Sequence, residues 1–465
     1  MKVVLVHPPI EDFYITNIRR QPLGLLYIAS ALKEKGHEVM LLNCHLAKKK
    51  EMPIPDEFDY LKKFMLQSDP YLKFPFKSYS HWGLSWEEIS LRIKNIEADL
   101  WFISSLFTTY YEEVDRIIEL IKKHHKNSII AVGGNHATLH AQYYLNAQSV
   151  DFIIRGEGEI SSIELLEKIQ KGGALDDIPG VIYTKNPQNI NSLSQSPDIN
   201  QIAYPARELL APRDFIAYKK KLISLITSRG CPNRCNFCTG KIIWGNKYRT
   251  TNIDYAMKEI DQCLKDYKAD IINFEDDNLF ANQERAKSLL NEIIKLKKTI
   301  QKNFELTAMN GISIENINEE ILPLMQEAGF KELNISLVTK SSSIQSENNR
   351  PFDSQKFKNI ASAAQNLGFN VRGYFIMGLP EQTKEEIRET IDFLKSLKIS
   401  FFPSVYYNVF SPESQWKVQR SSAFYNEGKD FTREDLIKFF NICYKKVKSN
   451  LVCNPTRYIN YLLLQ

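Results

Sequence analysis

The sequence predicts an α/β protein built from two parallel-sheet units: a doubly wound N-terminal unit, then a partial (βα)6 barrel, with a helical C-terminal tail. Two observations predict this. Short apolar runs alternate with helix-length amphipathic stretches, first over residues 1–171 and again over 216–409. Between the two series lies an irregular segment, 172–215, with Asn and Ser crowded into 186–200 and prolines at 205 and 212. A chain of 465 residues also exceeds one ordinary core, so two domains are the natural expectation.

In the first series, Val3–Val6 is an apolar strand. Pro22–Lys35 is a helix pattern stopped by Gly36, and Glu38–Leu42 is a second strand. Leu100–Ser104, Ser128–Val132 and Asp151–Ile154 are three more, with helices near Glu112–His124, Ala137–Asn146 and Glu159–Gln170. Five strands alternating with helices fit a flavodoxin-like, Rossmann-like unit covered by helices on both faces. Residues 46–97 break the rhythm. Their Tyr, Phe, Trp and Pro content predicts a partly helical insertion with its own aromatic packing.

The second series has strands at Leu222–Ser228, Ile271–Glu275, Glu305–Met309, Glu332–Leu337, Asn370–Met377 and Phe401–Val409. Helices fall between them at Ile253–Asp266, Gln283–Lys298, Asn318–Ala328, Ser354–Leu367 and Lys384–Leu397. Six βα units fall short of the eight of a closed barrel, so an open (βα)6 barrel is expected over 216–409. Residues 410–465 read as the helical tail.

The composition is that of a soluble globular chain, with 43% hydrophobic and 25% charged residues. A net charge of +5, from 60 basic and 55 acidic residues, predicts no nucleic-acid partner. Lys445, Lys446 and Lys448 read as a solvated helix face. No apolar run reaches the length of a membrane span. The opening residues enter a strand with no leader pattern, which predicts a cytoplasmic location.

Seven cysteines stand at 44, 231, 235, 238, 263, 443 and 453. An odd count with three inside eight residues argues against a disulfide framework and for a metal site. Cys231, Cys235 and Cys238 have the spacing C-x3-C-x2-C just past a strand, at the carboxyl end where parallel α/β folds carry their sites. Zinc sites usually recruit a fourth ligand and a paired C-x2-C, and no second pair exists here. Three thiolates on a [4Fe–4S] cluster leave one iron without a protein ligand. S-adenosylmethionine (SAM) can chelate that iron, and its sulfonium can then accept an electron, giving a 5′-deoxyadenosyl radical. In this reading the three cysteines are both metal ligands and catalytic residues.

The run Ser228–Cys238, with Phe237 before the last cysteine, resembles the radical SAM superfamily. Together with Trp244–Arg249, Val132–Thr138, Asp151–Glu159, Asp177–Val181, Asp276–Asn278 and Phe375–Pro380, it is similar to the branch with an N-terminal cobalamin (B12)-binding domain. The resemblance spans nearly the whole chain. It implies [4Fe–4S], SAM and cobalamin as cofactors. It also implies a small-molecule substrate of natural-product or lipid type, and an external electron donor such as flavodoxin or ferredoxin.

Candidate SAM contacts are Phe237; Glu275 and Asp276, as acceptors for the ammonium group; Asn310, ending the third barrel strand; Ser336, ending the fourth; Arg372, as a carboxylate clamp; and Gly378, where backbone approaches the adenine. The chain departs from the family at Leu337–Lys340, where relatives carry glycine and an acidic residue, and at Glu381–Thr383. Candidate cobalamin contacts lie in the loops at the carboxyl strand ends: Pro8, Ser104, Ser105, Leu106, Thr108, Gly133, Gly134, Asn135, His136, Gly156 and Glu157. The Asp-x-His-x-x-Gly pattern of proteins that ligate cobalt through histidine is absent.

The function the resemblance implies is methyl transfer to an unactivated carbon. Radical cyclisation, rearrangement or oxidation without methyl transfer is an alternative, and so is a non-catalytic Fe–S or cobalamin carrier. Cys443 and Cys453 are too few for an auxiliary cluster and read as ordinary cysteines. Tyr406, Tyr407, Phe410 and the aromatic insertion are candidate substrate contacts.

Overall fold

The computed structural model describes residues 1–451 apart from 15–19, 47, 188, 189, 191, 218, 246, 301 and 351; of 445–451 it describes the helical backbone alone. Cys453 and the side chains of Lys445, Lys446 and Lys448 lie outside the described residues.

The N-terminal sheet contains β1 (Lys2–His7), β2 (Glu38–Asn43), β3 (Leu100–Ser104), β4 (Ile129–Gly133), β5 (Phe152–Ile154) and β6 (Val181–Tyr183), in the order β2-β1-β3-β4-β5-β6. The first five are parallel and follow the flavodoxin-like order. Alternate residues of each strand feed two apolar layers. Val4, Val6, Trp101, Ile103, Ile130 and Val132 pack on one face, and Val3, Leu5, Leu100, Phe102 and Ala131 on the other. Burial of both faces is why the strands read as continuous apolar runs.

The structure alters four sequence expectations for this half. β6 is a sixth strand, antiparallel to β5, within the segment expected to be an irregular connection. The expected helix Ala137–Asn146 is two helices, Asn135–Leu139 and Ala141–Asn146, broken at His140. Residues 46–97 are partly helical as expected, at Asp56–Leu61, Lys62–Met65 and Trp86–Lys94, but they also supply two strands of a three-stranded antiparallel sheet, in which Tyr79–Trp82 pairs with both Ile10–Asp12 and Lys49–Met52. Their aromatic residues do not form a separate core. Phe58, Phe64, Phe74 and Tyr79 join Phe13 in the same cluster as the barrel and the C-terminal region, where Phe74 meets Phe424 at 6.1 Å.

The barrel strands are β7 (Lys220–Leu225), β8 (Ile271–Phe274), β9 (Glu305–Thr307), β10 (Glu332–Val338), β11 (Asn370–Met377) and β12 (Ser400–Val405). β7-β8-β9 and β10-β11-β12 are parallel ladders. They join at the bridge between Leu306 and Phe330 and through Ile312–Ser313, which pairs with β10. The result is an open six-stranded barrel with its helices outside. The helix Lys384–Ser396 shows how local sequence sets these boundaries: Thr383 and Glu386 form a reciprocal capping box at its start. The first barrel strand is shorter than expected. The chain turns after Leu225, and Ser228–Arg229 pairs separately with Arg249–Thr250. Beyond the barrel, turns at Glu413–Gln415 and Ser421–Ala423 precede the helix Arg433–Leu451. No helix among the described residues is long and apolar enough to cross a membrane.

The segment after β12 ties the two halves together. Arg420, buried, donates to the carbonyls of Glu11 and Thr109, both at 2.7 Å, and faces the buried Asp12 at 3.6 Å. Asp12 also accepts from the hydroxyls of Tyr110 and Ser422, both at 2.6 Å. Removing one partner of such a pair strands the other charge in the interior. Asp12→Ala is therefore expected to lower unfolding stability by roughly 3–5 kcal/mol in denaturant titration. A loss below about 1 kcal/mol, the range of exposed pairs, would show that the Asp12–Arg420 pair does not hold the two halves together.

Candidate active site

The cysteine loop leaves the barrel after Ser228–Arg229 and is held at its root by the two aspartates that follow β8. Asp276, buried, accepts from Thr227 N–H at 3.0 Å, Thr227 Oγ1 at 2.8 Å and Ser228 Oγ at 2.5 Å. Burial raises its pKa, and the Ser228 and Thr227 donors oppose that rise. Asp277 accepts from Gly230 N–H at 3.2 Å. Gly230 has φ +83°, and a Cβ there would lie 2.4 Å from the carbonyl oxygen of Lys247. Only glycine permits this turn, one residue before Cys231.

Cys235 is buried, Cys231 half-buried and Cys238 exposed. Burial raises the Cys235 thiol pKa; the Arg350 guanidinium opposes this by charge and hydrogen bond, while Cys238 and Cys231 add to it. Two donors point at sulfur: Asn278 Nδ2 lies 3.5 Å from Cys231 Sγ, and Gly240 N–H 3.4 Å from Cys238 Sγ. Among the described residues, no three His, Cys, Asp or Glu side chains gather around a single metal ion. Three soft sulfur side chains on one loop, with donors aimed at two of them and the Arg350 guanidinium beside the third, form a donor set that fits an iron–sulfur cluster.

The loop covers the carboxyl ends of the barrel strands. Phe237 packs on Val338, Ile344 and Leu379. Asn236 N–H donates to Asn348 O at 3.1 Å, and Asn236 Nδ2 to Glu347 O at 2.7 Å, fastening the loop to the segment that carries Arg350. Several of the expected SAM contacts come together at these ends. Asn310 Nδ2 donates to Glu275 O at 3.0 Å, and Gly311 packs near Ser336. Ser224 Oγ donates to Glu275 Oε1 at 3.2 Å.

Three expected SAM contacts are engaged elsewhere. The Asp276 carboxylate is taken up by Thr227 and Ser228, so it holds the loop rather than a ligand. Arg372 lies near the opposite, amino end of β11, buried and bidentate on Glu332 at 2.7 and 2.5 Å. Its guanidinium serves an ion pair, not a carboxylate clamp. Gly378 turns its open side to Leu436 and Phe431 of the C-terminal segment. At the sequence departure Leu337–Lys340 the backbone keeps a glycine-like turn, with Val338 at φ +68° and a register shift between Ser336 and Val338. A β-branched residue there is strained.

In the N-terminal unit, Ser104, Gly133 and Ile154 stand side by side at the strand ends, with Gly156 just beyond. Ser104, Gly133, Gly134, Asn135 and Gly156 are half-buried, and Leu106 is exposed. The residues here are small, and Gly134 and Gly156 pack closely, on the Ser105 carbonyl and on Ser194. The remaining expected cobalamin contacts are interior. Pro8 is buried. Ser105 Oγ pairs with Tyr144 OH at 2.9 Å. Thr108 Oγ1 and His136 Nδ1 lie 3.2 Å apart. His136 is sealed beneath Trp416, ring centroids 4.8 Å apart, and burial lowers its pKa to about 3. It is a neutral core histidine rather than a cobalt ligand. Glu157 is buried in ion pairs with Arg229 and Arg249. Sequence reasoning misses Arg350, Asn278 and Arg229: their roles come from contacts across 47–115 residues of chain that no local pattern shows.

The helix Asn135–Leu139 lies against Gly240–Ile243, the short helix that follows the cysteine loop. The strand ends of the first unit and the cysteine loop of the second therefore adjoin one another. A doubly wound domain set against a partial barrel, with a three-cysteine loop at the junction, defines a class of two-cofactor α/β proteins. Residues 225–394 match the model of the radical SAM superfamily and residues 77–166 that of the B12 binding domain, so the chain carries a radical SAM domain preceded by a B12-binding domain.

Several relatives match along most of the chain. An uncharacterized methyltransferase of Pyrococcus horikoshii is 24% identical over 406 residues, covering 86% of this chain and 79% of the relative. Cytidylyl-2-hydroxyethylphosphonate methyltransferase of Streptomyces wedmorensis is 24% identical over 439 residues, covering 86% and 78%. The solved structure of the radical SAM methyltransferase TsrM from Kitasatospora setae, with cobalamin and a [4Fe–4S] cluster bound, superimposes with a TM-score of 0.64 at 16% identity, over 87% of this chain and 72% of that one. It shares the fold.

Gly230→Ala is expected to reduce iron incorporation on anaerobic reconstitution by at least about tenfold, the scale of lost metal-site support, while the circular dichroism spectrum stays that of the parent. Full iron content in that variant would show that the turn does not set the cysteine loop.

Proposed function

We propose that this protein is a cobalamin-dependent radical SAM methyltransferase acting on a carbon of a small molecule. The observation that carries the reading is the meeting of the cysteine loop with the carboxyl strand ends of the B12-binding domain. Bound there, the cluster with SAM supplies one-electron cleavage of a carbon–sulfur bond, and cobalamin supplies a methyl carrier.

The protein's own groups orient these parts. Cys231, Cys235 and Cys238 hold the cluster. Asn278 and the Gly240 N–H donate to their sulfurs, and Arg350 offsets thiolate charge. Glu275 would accept from the SAM ammonium beside the Ser224 and Asn273 donors its Oε1 already holds, with Asn310 and Ser336 next to it. Phe237 covers the loop from the barrel side. Ser104, Leu106, Gly133, Asn135 and Gly156 form the face that receives cobalamin. Tyr406, Tyr407 and Phe410, just past β12, contact the substrate at the mouth. An external flavodoxin or ferredoxin delivers the electron.

Anaerobic protein supplied with iron, sulfide, SAM, hydroxocobalamin and a reductant is expected to release 5′-deoxyadenosine. Mass spectrometry of extracts from cells with and without the protein is expected to find a metabolite gaining one methylene. Release of 5′-deoxyadenosine with a product that gains no methylene would replace methyl transfer by radical rearrangement or oxidation. No release at all would leave a carrier.

A further inference from the structure

Arg229 crosses the domain boundary two residues before the first cluster cysteine. Its guanidinium is buried and donates to Glu157 at 2.5 Å, on the turn that follows β5 of the B12-binding domain, and to Glu159 at 2.6 Å, in the first turn of the helix Gly158–Lys171. Arg249, on the strand paired with Ser228–Arg229, adds a second arm to Glu157 and donates to Pro197 O at 3.1 Å. The Arg229 guanidinium also lies over the Tyr27 ring at 5.0 Å and near the Trp244 ring at 5.9 Å. Trp244 in turn borders Gly230, whose N–H is held by Asp277. A continuous set of contacts thus runs from Gly156–Glu159 to the first turn of the cysteine loop.

The placement has a cost that a merely cohesive contact would avoid. Two carboxylates and two guanidiniums leave water here, and such groups often stabilise a fold less than apolar residues of the same shape. What the pairs supply is direction. A planar fork held by two carboxylates fixes both the position and the rotation of Arg229, and a lysine ammonium cannot serve two partners in that way. Glu157 and Glu159 flank the start of the helix Gly158–Lys171, whose N-terminal end also favours negative charge.

The geometry points to Arg229 as a positioning residue that couples the two cofactor sites: the buried Arg229–Glu157–Glu159 latch sets the cysteine loop against the cobalamin-facing turn, so that filling one site strengthens the other. This rests on the reading of the N-terminal domain as a cobalamin site. By reciprocity, any effect of the cluster on cobalamin affinity equals the effect of cobalamin on the cluster.

The test compares the parent with Arg229→Lys and Glu159→Gln, full-length, each with and without reconstituted cluster. Hydroxocobalamin dissociation constants are read by absorbance. Hydrogen exchange over residues 156–161 and 230–239 is read in the cofactor-free proteins. The parent is expected to bind cobalamin at least about fivefold more tightly when the cluster is present. Both variants are expected to lose that ratio and to exchange faster in both segments, with unchanged circular dichroism. A latch that only adds stability would lower the melting temperature and leave the ratio intact, and that result would overturn the proposal. Should the parent bind no cobalamin, the functional reading fails, and the exchange arm decides the latch: unchanged exchange in both variants would overturn it. Glu159→Gln leaves Glu157 paired with Arg249, so it tests the latch if the arginine variant fails to fold.

Discussion

The structure depends on a loop that presents three cysteine sulfurs. A segment of that kind has little apolar surface with which to hold its shape, so polar contacts must do it. Asp276 and Asp277 hold its root through Thr227, Ser228 and Gly230. Asn236 and Phe237 seat its far side on the barrel. Burial makes the Asp276 bonds the most consequential of these, because an orphaned partner there cannot turn to water. The run Asp276-Asp277-Asn278 turns three successive side chains toward the loop. Two accept from its start, and the third donates to sulfur.

The second constraint is the juncture of the two halves. Cofactor chemistry shared between domains needs a fixed distance, and three separate contacts supply one. Arg229 reaches the turn after β5, and Arg420 reaches Asp12. Trp416 closes over His136 and His140 with centroids at 4.8 and 4.5 Å. The segment after β12 is therefore a strap across the B12-binding domain, and the aromatic insertion packs beneath it. A tail expected to be merely helical proves to be what joins the two cores.

Much of this is legible in the sequence because period and punctuation carry it. Leu100–Ser104 and Asn370–Met377 match their expected bounds to the residue, since apolar runs bounded by turn signals leave little choice of ends. The cysteine spacing indicates the chemistry of the loop. What the sequence conceals is the partner of each charged group. Arg372 on a barrel strand reads equally as a ligand clamp or an ion-pair member, and only its place near the amino end of β11, beside Glu332, decides. Glu157 stands in a glycine-rich turn that suggests a ligand, yet its carboxylate faces Arg229 from 72 residues away. His136 sits in a loop by sequence and in an aromatic box by structure, because Trp416 arrives from 280 residues along the chain. Local pattern sets elements; long-range pairing sets which polar groups stay free.

The central claim is that three cysteines hold a four-iron cluster with one iron left for SAM. Mössbauer spectroscopy of the anaerobically reconstituted protein, with and without SAM, tests it most directly. The account predicts about four irons per chain, with one iron site changing its parameters when SAM is added. A single metal ion per chain, or a four-iron spectrum that SAM leaves unaltered, would contradict it.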